Sequence, residues 1–167
     1  MVPVLAEKKH VRVMASGVFD LIHLGHVHYL EEARKLGDEL LVVVATDSTV
    51  RKMKHEPITP GKMRVELVKA LKPVDFAVLG HEDDIFKTVE EQKPDIIALG
   101  FDQKFDEREL KIQLESRGLG HIRIVRLSKM SYDSFDLDGT RKIIQRIIDW
   151  YSLEKKLRES ETGSRKT

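Results

Sequence analysis

Five short apolar runs, rich in β-branched residues, alternate along this chain with segments of helical period. That alternation restricts the fold more than any other feature. The runs are Val11–Ser16, Leu40–Ala45, Phe76–Leu79, Asp95–Leu99 and Ile122–Leu127. Each is too short for an ordinary helix; Val11–Ser16 and Leu40–Ala45 read as strands buried on both faces, and the other three as further strands. Between them, Gly25–Leu36 carries Val27, Leu30, Ala33 and Leu36 at helical spacing, and Gly37 follows at a C-cap position. Asp47 or Ser48 is expected to cap a short helical turn. His55–Gly61, with two prolines, reads as a loop. Lys62–Leu71 places Met63, Leu67, Val68 and Leu71 on one face, and Pro73 stops it. A further helix is expected from Asp83 or Asp84 to about Glu91, another over Glu107–Arg117 ended by Gly118, and a long last one over Gly139–Leu157. Ser128–Leu137 reads as a polar loop.

Strands alternating with helices predict an α/β fold. We expect a Rossmann-like single domain: a five-stranded parallel sheet, helices on both faces, and a long C-terminal helix. Residues 11–157 would form it, with 1–10 as an extension and 158–167 as a frayed polar tail. Ligands of such sheets bind at the carboxyl ends of strands where strand order reverses. If the first and fourth strands are neighbours, the turns after Gly17 and Gly100 line one crevice.

The chain has 167 residues, a net charge of +1 and no cysteine. Disulfides and thiolate metal sites are therefore excluded, and neither nucleic acid nor membrane is the expected partner. No apolar run approaches a membrane span, and an intracellular, cytoplasmic location is expected. Any anion site must come from local placement of cations and backbone N–H groups.

One segment has that placement. Gly17-Val-Phe-Asp-Leu-Ile-His-Leu-Gly-His26 leads from the first strand into the first helix. Gly17 permits a tight turn and a close approach to a ligand. Gly25 leaves room at the helix start, whose free N–H groups attract anions. His23 and His26 offer ring N–H donors to phosphate oxygens. Two histidines three apart also suit a metal pair or a plain surface. The strand–turn–helix setting favours phosphate.

The string resembles the signature of the cytidylyltransferase-like nucleotidyltransferases, and the likeness extends over roughly Val11 to Trp150. That superfamily includes glycerol-3-phosphate cytidylyltransferase, phosphopantetheine adenylyltransferase and archaeal FAD synthase. Val18 stands where Thr is usual, a mild change because that residue acts largely through its backbone. Leu36-Gly-Asp-Glu-Leu-Leu-Val-Val-Val resembles the family's second strand and its entry. The resemblance implies transfer of a nucleotidyl group from a nucleoside triphosphate to a phosphorylated acceptor. It implies a nucleotide site built from Gly17, Val18, Phe19, His23, Leu24, Gly25 and His26. Asp47 and the cluster Arg51, Lys52 and Lys54 lie where members place lysines near phosphates. Pro60-Gly-Lys-Met-Arg64 matches a Pro-x-x-x-Arg pattern. Lys54 and Arg64 are therefore candidates for phosphate contact, and Lys52 less so; a solvated helix face is the alternative.

The turn Gly100-Phe-Asp-Gln103 resembles the Gly-x-Asp-Gln of archaeal FAD synthases more than the Gly-Asp-Asp-Trp of glycerol-3-phosphate cytidylyltransferases. Gly100 would pass close to the nucleotide, and Asp102 would accept from ribose hydroxyls or hold the base side, unless it is only a turn or capping Asp. Asp138-Gly-Thr-Arg-Lys-Ile-Ile144 lies where members bind the triphosphate from the far side; Thr140 keeps a hydroxyl and Arg141 a cation, with Gly139 in place of one hydroxyl residue. Helix capping by Asp138 is compatible with that role.

The resemblance thus implies FAD synthase chemistry: ATP and FMN to FAD and pyrophosphate, with His23, His26, Lys54 and Arg141 as the catalytic set. A divalent cation, magnesium or similar, would travel with ATP, held by phosphates and water, since no metal-ligand cluster is visible. A CTP-dependent cytidylyltransferase acting on glycerol-3-phosphate or another polyol or sugar phosphate is the alternative, and a nucleotide-binding regulator without catalysis a third reading. Family members are often dimers, which implies a homodimer. Ile143, Ile144, Ile147 and Ile148 form a stripe expected in the core or at a dimer surface. Trp150 and Tyr151 are expected to pack on the domain. Tyr132 and Phe135 are candidates for stacking on a flavin ring.

Overall fold

Alternate residues of each strand serve different cores. The computed structural model describes residues 9–53, 55–129, 137 and 139–163, with side chains through 159. The strands are β1 (Arg12–Gly17), β2 (Glu39–Val44), β3 (Phe76–Leu79), β4 (Ile96–Leu99) and β5 (Arg123–Arg126), all parallel, in the order β3-β2-β1-β4-β5. The helices are α1 (Leu24–Arg34), α2 (Asp47–Lys52), α3 (Gly61–Lys69), α4 (Ile85–Gln92), α5 (Glu107–Ser116) and α6 (Thr140–Gly163). Val13, Ala15, Leu40, Val42, Val44, Ile96 and Ala98 pack with Leu30 and Ala33 of α1 and Val65 and Val68 of α3. Met14, Leu41, Ile97 and Leu99 pack with Val89 of α4 and with Leu110 and Leu114 of α5. Period-two alternation thus gives the sheet a core on each face. Truncating a fully buried leucine such as Leu30 to Ala would cost roughly 2–5 kcal/mol.

The expected α/β architecture is what the structure has, with most element ends shifted by a residue or two; α6 runs on to Gly163, six residues past the expected Leu157 and into the stretch expected as a frayed tail. Two local readings change. The short helix α2 is capped by Thr46, whose side chain accepts from the Thr49 N–H, and not by Asp47 or Ser48. Gly37 is not a left-handed cap, since its φ is not positive, and a Cβ there would lie 2.6 Å from the Val11 carbonyl oxygen. Its smallness serves packing. The true left-handed glycine is Gly118, at φ 74° after α5.

Helix α6 departs most from expectation. Trp150 and Tyr151 do not pack on the domain; they are 63% and 62% exposed. Ile147 and Ile148 are exposed as well, so only the start of the stripe, Ile143 and Ile144, is partly covered. A helical stripe records that a face is apolar and not what covers it.

Candidate active site

The sheet reverses its strand order between β1 and β4. The chain leaves β1 toward β2 on one side and β4 toward β5 on the other. The turns after Gly17 and Gly100 therefore flank one crevice, as such sheets require.

The first turn is strained and heavily braced. Phe19 and Leu21 have positive φ, 54° and 47°. Left-handed non-glycine residues cost on the order of 1 kcal/mol each and persist where the surroundings over-determine them. Here they do. The buried Asp20 carboxylate accepts from the Ile58 N–H at 2.5 Å, the Thr59 N–H at 3.1 Å and the Thr59 hydroxyl at 2.6 Å. The Asp20 carbonyl accepts from the Thr140 hydroxyl at 2.8 Å. Burial alone would raise the Asp20 pKa. The Thr59 hydroxyl, the two amides and Arg64 outweigh it and hold the carboxyl below its ordinary range. Gly17 is needed for packing, since a Cβ there would lie 3.0 Å from the Phe19 ring. That ring is 5.2 Å from His26 and 6.4 Å from Tyr29.

His23 is the N-cap residue of α1, with extended backbone and no capping bond from its side chain. The N–H groups of His26 and Val27 both donate to the His23 carbonyl, at 3.0 and 3.2 Å, which leaves those of Leu24 and Gly25 without an intrahelical acceptor. The His23 and His26 rings stack 3.8 Å apart. Desolvation, then the neighbouring His23, lowers the His26 pKa to about 3, against a small opposing pull from Asp20. His26 is therefore a neutral imidazole at pH 7. Its Nδ1 is buried without a hydrogen-bond partner among the described residues.

Arg64 is fully buried and faces the protein. It donates to the carbonyls of Thr59 at 2.9 Å, Val18 at 2.6 Å and Ala45 at 2.9 Å, and to Asp47 at 2.6 Å. Four of its five N–H groups are thus spent on the protein. The expected phosphate contact is not what this geometry displays; Arg64 holds the carbonyl of Val18. Asp47 also accepts from the Gly61 N–H. Arg51 pairs with Glu56, and Lys52 reaches the Glu82 carbonyl, both on the surface. Lys54, Tyr132, Phe135 and Asp138 lie outside the described residues.

In the second turn Gly100 is buried while Asp102 is exposed. Arg126 donates to the carbonyls of Gly100 at 3.0 Å, Gln103 at 3.0 Å and Phe105 at 2.7 Å. The Gln103 side chain donates to the Ser16 carbonyl at 2.6 Å and accepts from the Gly100 N–H at 3.0 Å. At the start of α6 Arg141 is exposed, while Thr140 is bonded to the first turn. His23, Leu24, Gly25 and His26 follow the first turn directly, Thr140 is bonded to it with Arg141 next in the chain, and Gly100 and Asp102 sit in the second turn. Among the described residues no three His, Asp or Glu gather as a metal site.

Comparison with known proteins agrees with this fold. The Cytidylyltransferase-like family model matches residues 14–158. The chain belongs to the cytidylyltransferase-like family. Two curated members named FAD synthase are close relatives. That of Aciduliprofundum boonei is 60% identical over 83% of this chain and 91% of its own length. That of Thermoplasma acidophilum is 58% identical over 83% and 96%. A solved structure, described as the lipopolysaccharide core biosynthesis protein from Thermoplasma volcanium, is 56% identical over 74% of this chain and all of its own, with a TM-score of 0.72. A pantoate–β-alanine ligase from Francisella tularensis, 14% identical over 77% of this chain and 63% of its own with a TM-score of 0.52, shares the fold alone.

Within this cytidylyltransferase-like site, sequence reasoning missed the roles of Tyr29, Gln103 and Arg126. Tyr29 lies one turn beyond His26 on α1, and that spacing was its only available signal. Gln103 sits inside the quoted turn. Arg126 ends β5 and bonds only to backbone carbonyls and Glu107, so no pattern announces it.

Proposed function

We propose that this chain is an FAD synthase that transfers AMP from ATP to FMN and releases pyrophosphate. The observation that carries the reading is the neutral, stacked His26 at the start of α1, beside the crevice between β1 and β4, in a chain whose close relatives bear that name. An FMN phosphate oxygen attacks the α-phosphorus of ATP. The new bond is the P–O–P link of FAD. The bond to the β-phosphate breaks, and its electron pair leaves with pyrophosphate. No protein nucleophile is required.

His23 and His26 stabilise the phosphates. With Nδ1 of His26 buried, the neutral tautomer that suits the site carries its proton on Nε2 and leaves Nδ1 as a bare lone pair. A buried unpaired N–H would cost more. The backbone N–H groups of Leu24 and Gly25 add fixed donors. Lys54 and Arg141 neutralise charge on the triphosphate, Thr140 ties the start of α6 to the first turn through the Asp20 carbonyl, and Gly17, Val18 and Phe19 shape the floor of the site. Gly100 and Asp102 meet the nucleoside. Arg64 serves by holding Val18. ATP enters as its complex with a divalent cation, magnesium or similar, which screens the phosphate charge.

The remaining parts of the reading follow. Residues 11–157 form the catalytic domain, and neither nucleic acid nor membrane is a partner. The location is cytoplasmic, where ATP is spent; among the described residues no helix is long and apolar enough to cross a membrane. The assembly is a homodimer that covers the outer face of α6. There Ile147, Ile148, Trp150, Tyr151, Leu153 and Leu157 are each more than half exposed. A specific pair needs such faces to bury more than about 1,000 Å² in total. Trp150→Glu is expected to give a monomer by light scattering.

Purified protein with magnesium would be given ATP plus FMN and, separately, CTP plus glycerol-3-phosphate. FAD and pyrophosphate are expected from the first pair alone. His26→Ala should lower kcat by about 10²-fold or more, as loss of one preorganised donor does. A CDP-linked product would move the chain to the cytidylyl side of its family.

A further inference from the structure

The seam between β1 and β4 opens early, and only there. On its other side β1 stays paired to its last residue, with Ser16 opposite Val43 and Gly17 opposite Val44. β4 likewise stays paired with β5 as far as Leu99 opposite Arg126. Between β1 and β4, however, pairing ends at Ala15 opposite Ala98. The backbone groups beyond that point would be left facing each other across a split.

Two side chains fill the split. The Tyr29 hydroxyl, from α1, accepts from the Ser16 N–H at 3.2 Å and donates to the Ala98 carbonyl at 2.8 Å. The Gln103 amide, from the turn after β4, donates to the Ser16 carbonyl at 2.6 Å and accepts from the Gly100 N–H at 3.0 Å. Four bonds thus continue the ladder through side chains instead of directly. Backbone groups that a crevice would strand are satisfied while the strands stay apart. Each side chain also links one turn to the opposite strand. Tyr29 anchors α1, which carries His26, to β4. Gln103 anchors the Gly100–Asp102 turn to β1.

We propose that Tyr29 and Gln103 form a hydrogen-bonded spacer that sets the width of the nucleotide crevice, and that both are positioning residues for the transfer. The inference rests on the FAD synthase reading for the identity of the nucleotide. Gln103 governs where the nucleoside sits, and Tyr29 governs how the phosphate-binding helix meets it. A misplacement of about 1 Å at a reacting centre can cost 10²-fold in rate, so the two residues should be separable in kinetics.

The test measures ATP binding by calorimetry without FMN, then steady-state kinetics with FMN, in the full chain and three variants. Gln103→Leu is expected to weaken ATP binding about ten-fold, with thermal unfolding moved by only a few degrees. Gln103→Glu keeps the acceptor for Gly100 and loses the donor to Ser16, so it should not recover binding. Tyr29→Phe is expected to lower kcat about ten-fold with ATP affinity near wild type. Wild-type binding in Gln103→Leu would overturn the proposal. So would full recovery in Gln103→Glu, or loss of kcat in Tyr29→Phe only in proportion to lost folded protein. Failure of the wild type to bind ATP would instead remove the functional reading beneath it.

Discussion

The two turns that flank the crevice are held by one device at two depths. Arg64 gathers the carbonyls of Val18, Ala45 and Thr59 around the first turn and is fully buried. Arg126 gathers those of Gly100, Gln103 and Phe105 around the second, with 29% of its side chain exposed. The first turn also carries two strained residues and a buried carboxylate; the second has neither. The difference suits their proposed tasks. Phosphate donors must be fixed before charge develops. A turn that meets a nucleoside only has to be placed. The buried brace should therefore be coupled to folding, and the outer one to binding.

Removing Arg64 gives the largest effect. Arg64→Ala strips three carbonyls and Asp47 of their donor in a buried setting, and a loss of roughly 3–5 kcal/mol is expected. Chemical denaturation reads it directly. Arg64→Lys should recover little, because one ammonium cannot span those four acceptors. A variant that folds at wild-type stability but fails to bind ATP would break the comparison and return Arg64 to the phosphates.

The next effect is a pH dependence in the same turn. His26 titrates near 3 in the folded protein, against an ordinary value of 6.5. Below pH 6.5 the unfolded chain takes up a proton that the folded chain refuses. Stability is thus complete above that pH and falls as pH drops toward 3, by at most about 1.4 kcal/mol per unit. Denaturation midpoints between pH 6.5 and 4.5 should fall in wild type and flatten in His26→Gln. Bound ATP should reduce the slope, since phosphate favours the charged ring.

How much of this was legible in the sequence follows from what each residue bonds to. The central strands were legible because burial on both faces forces runs of Val, Ile and Leu. The histidine loop was legible because backbone turn, helix start and side chains all fall in one short stretch. Arg64 stood out by its spacing after Pro60, yet nothing in one dimension says whether a guanidinium points to a ligand or into the fold. Tyr29, Gln103 and Arg126 bond to carbonyls and amides distant in sequence, which every residue type supplies equally. Trp150 and Tyr151 failed for a related reason: periodicity reports an apolar face and not its partner.

Asp20 comes third, with an effect on the order of 1–3 kcal/mol. Asp20→Asn keeps the shape but cannot accept on both sides from Ile58 and Thr59. Because the folded carboxyl titrates below its ordinary 3.8, its contribution is complete above that pH and is lost only as pH falls through the folded value. The variant should therefore be less stable than wild type at neutral pH and lose less in the most acid range. This loss begins only below 3.8, whereas that of His26 begins below 6.5, so an acid titration of stability separates their onsets.

The smallest stability effect is expected at Arg126. Arg126→Ala removes the partly exposed pair with Glu107 and three bonds to a surface turn. Exposed pairs contribute about 1 kcal/mol or less, and the turn's carbonyls can take water instead. Thermal unfolding should move little. The second turn would lose its outer brace while keeping Gln103, so the effect should appear in the KM for ATP, several-fold, with kcat nearly unchanged. If Arg126→Ala instead lowered stability as far as Arg64→Ala, depth would not distinguish the two braces, and the second turn would belong to the folding core.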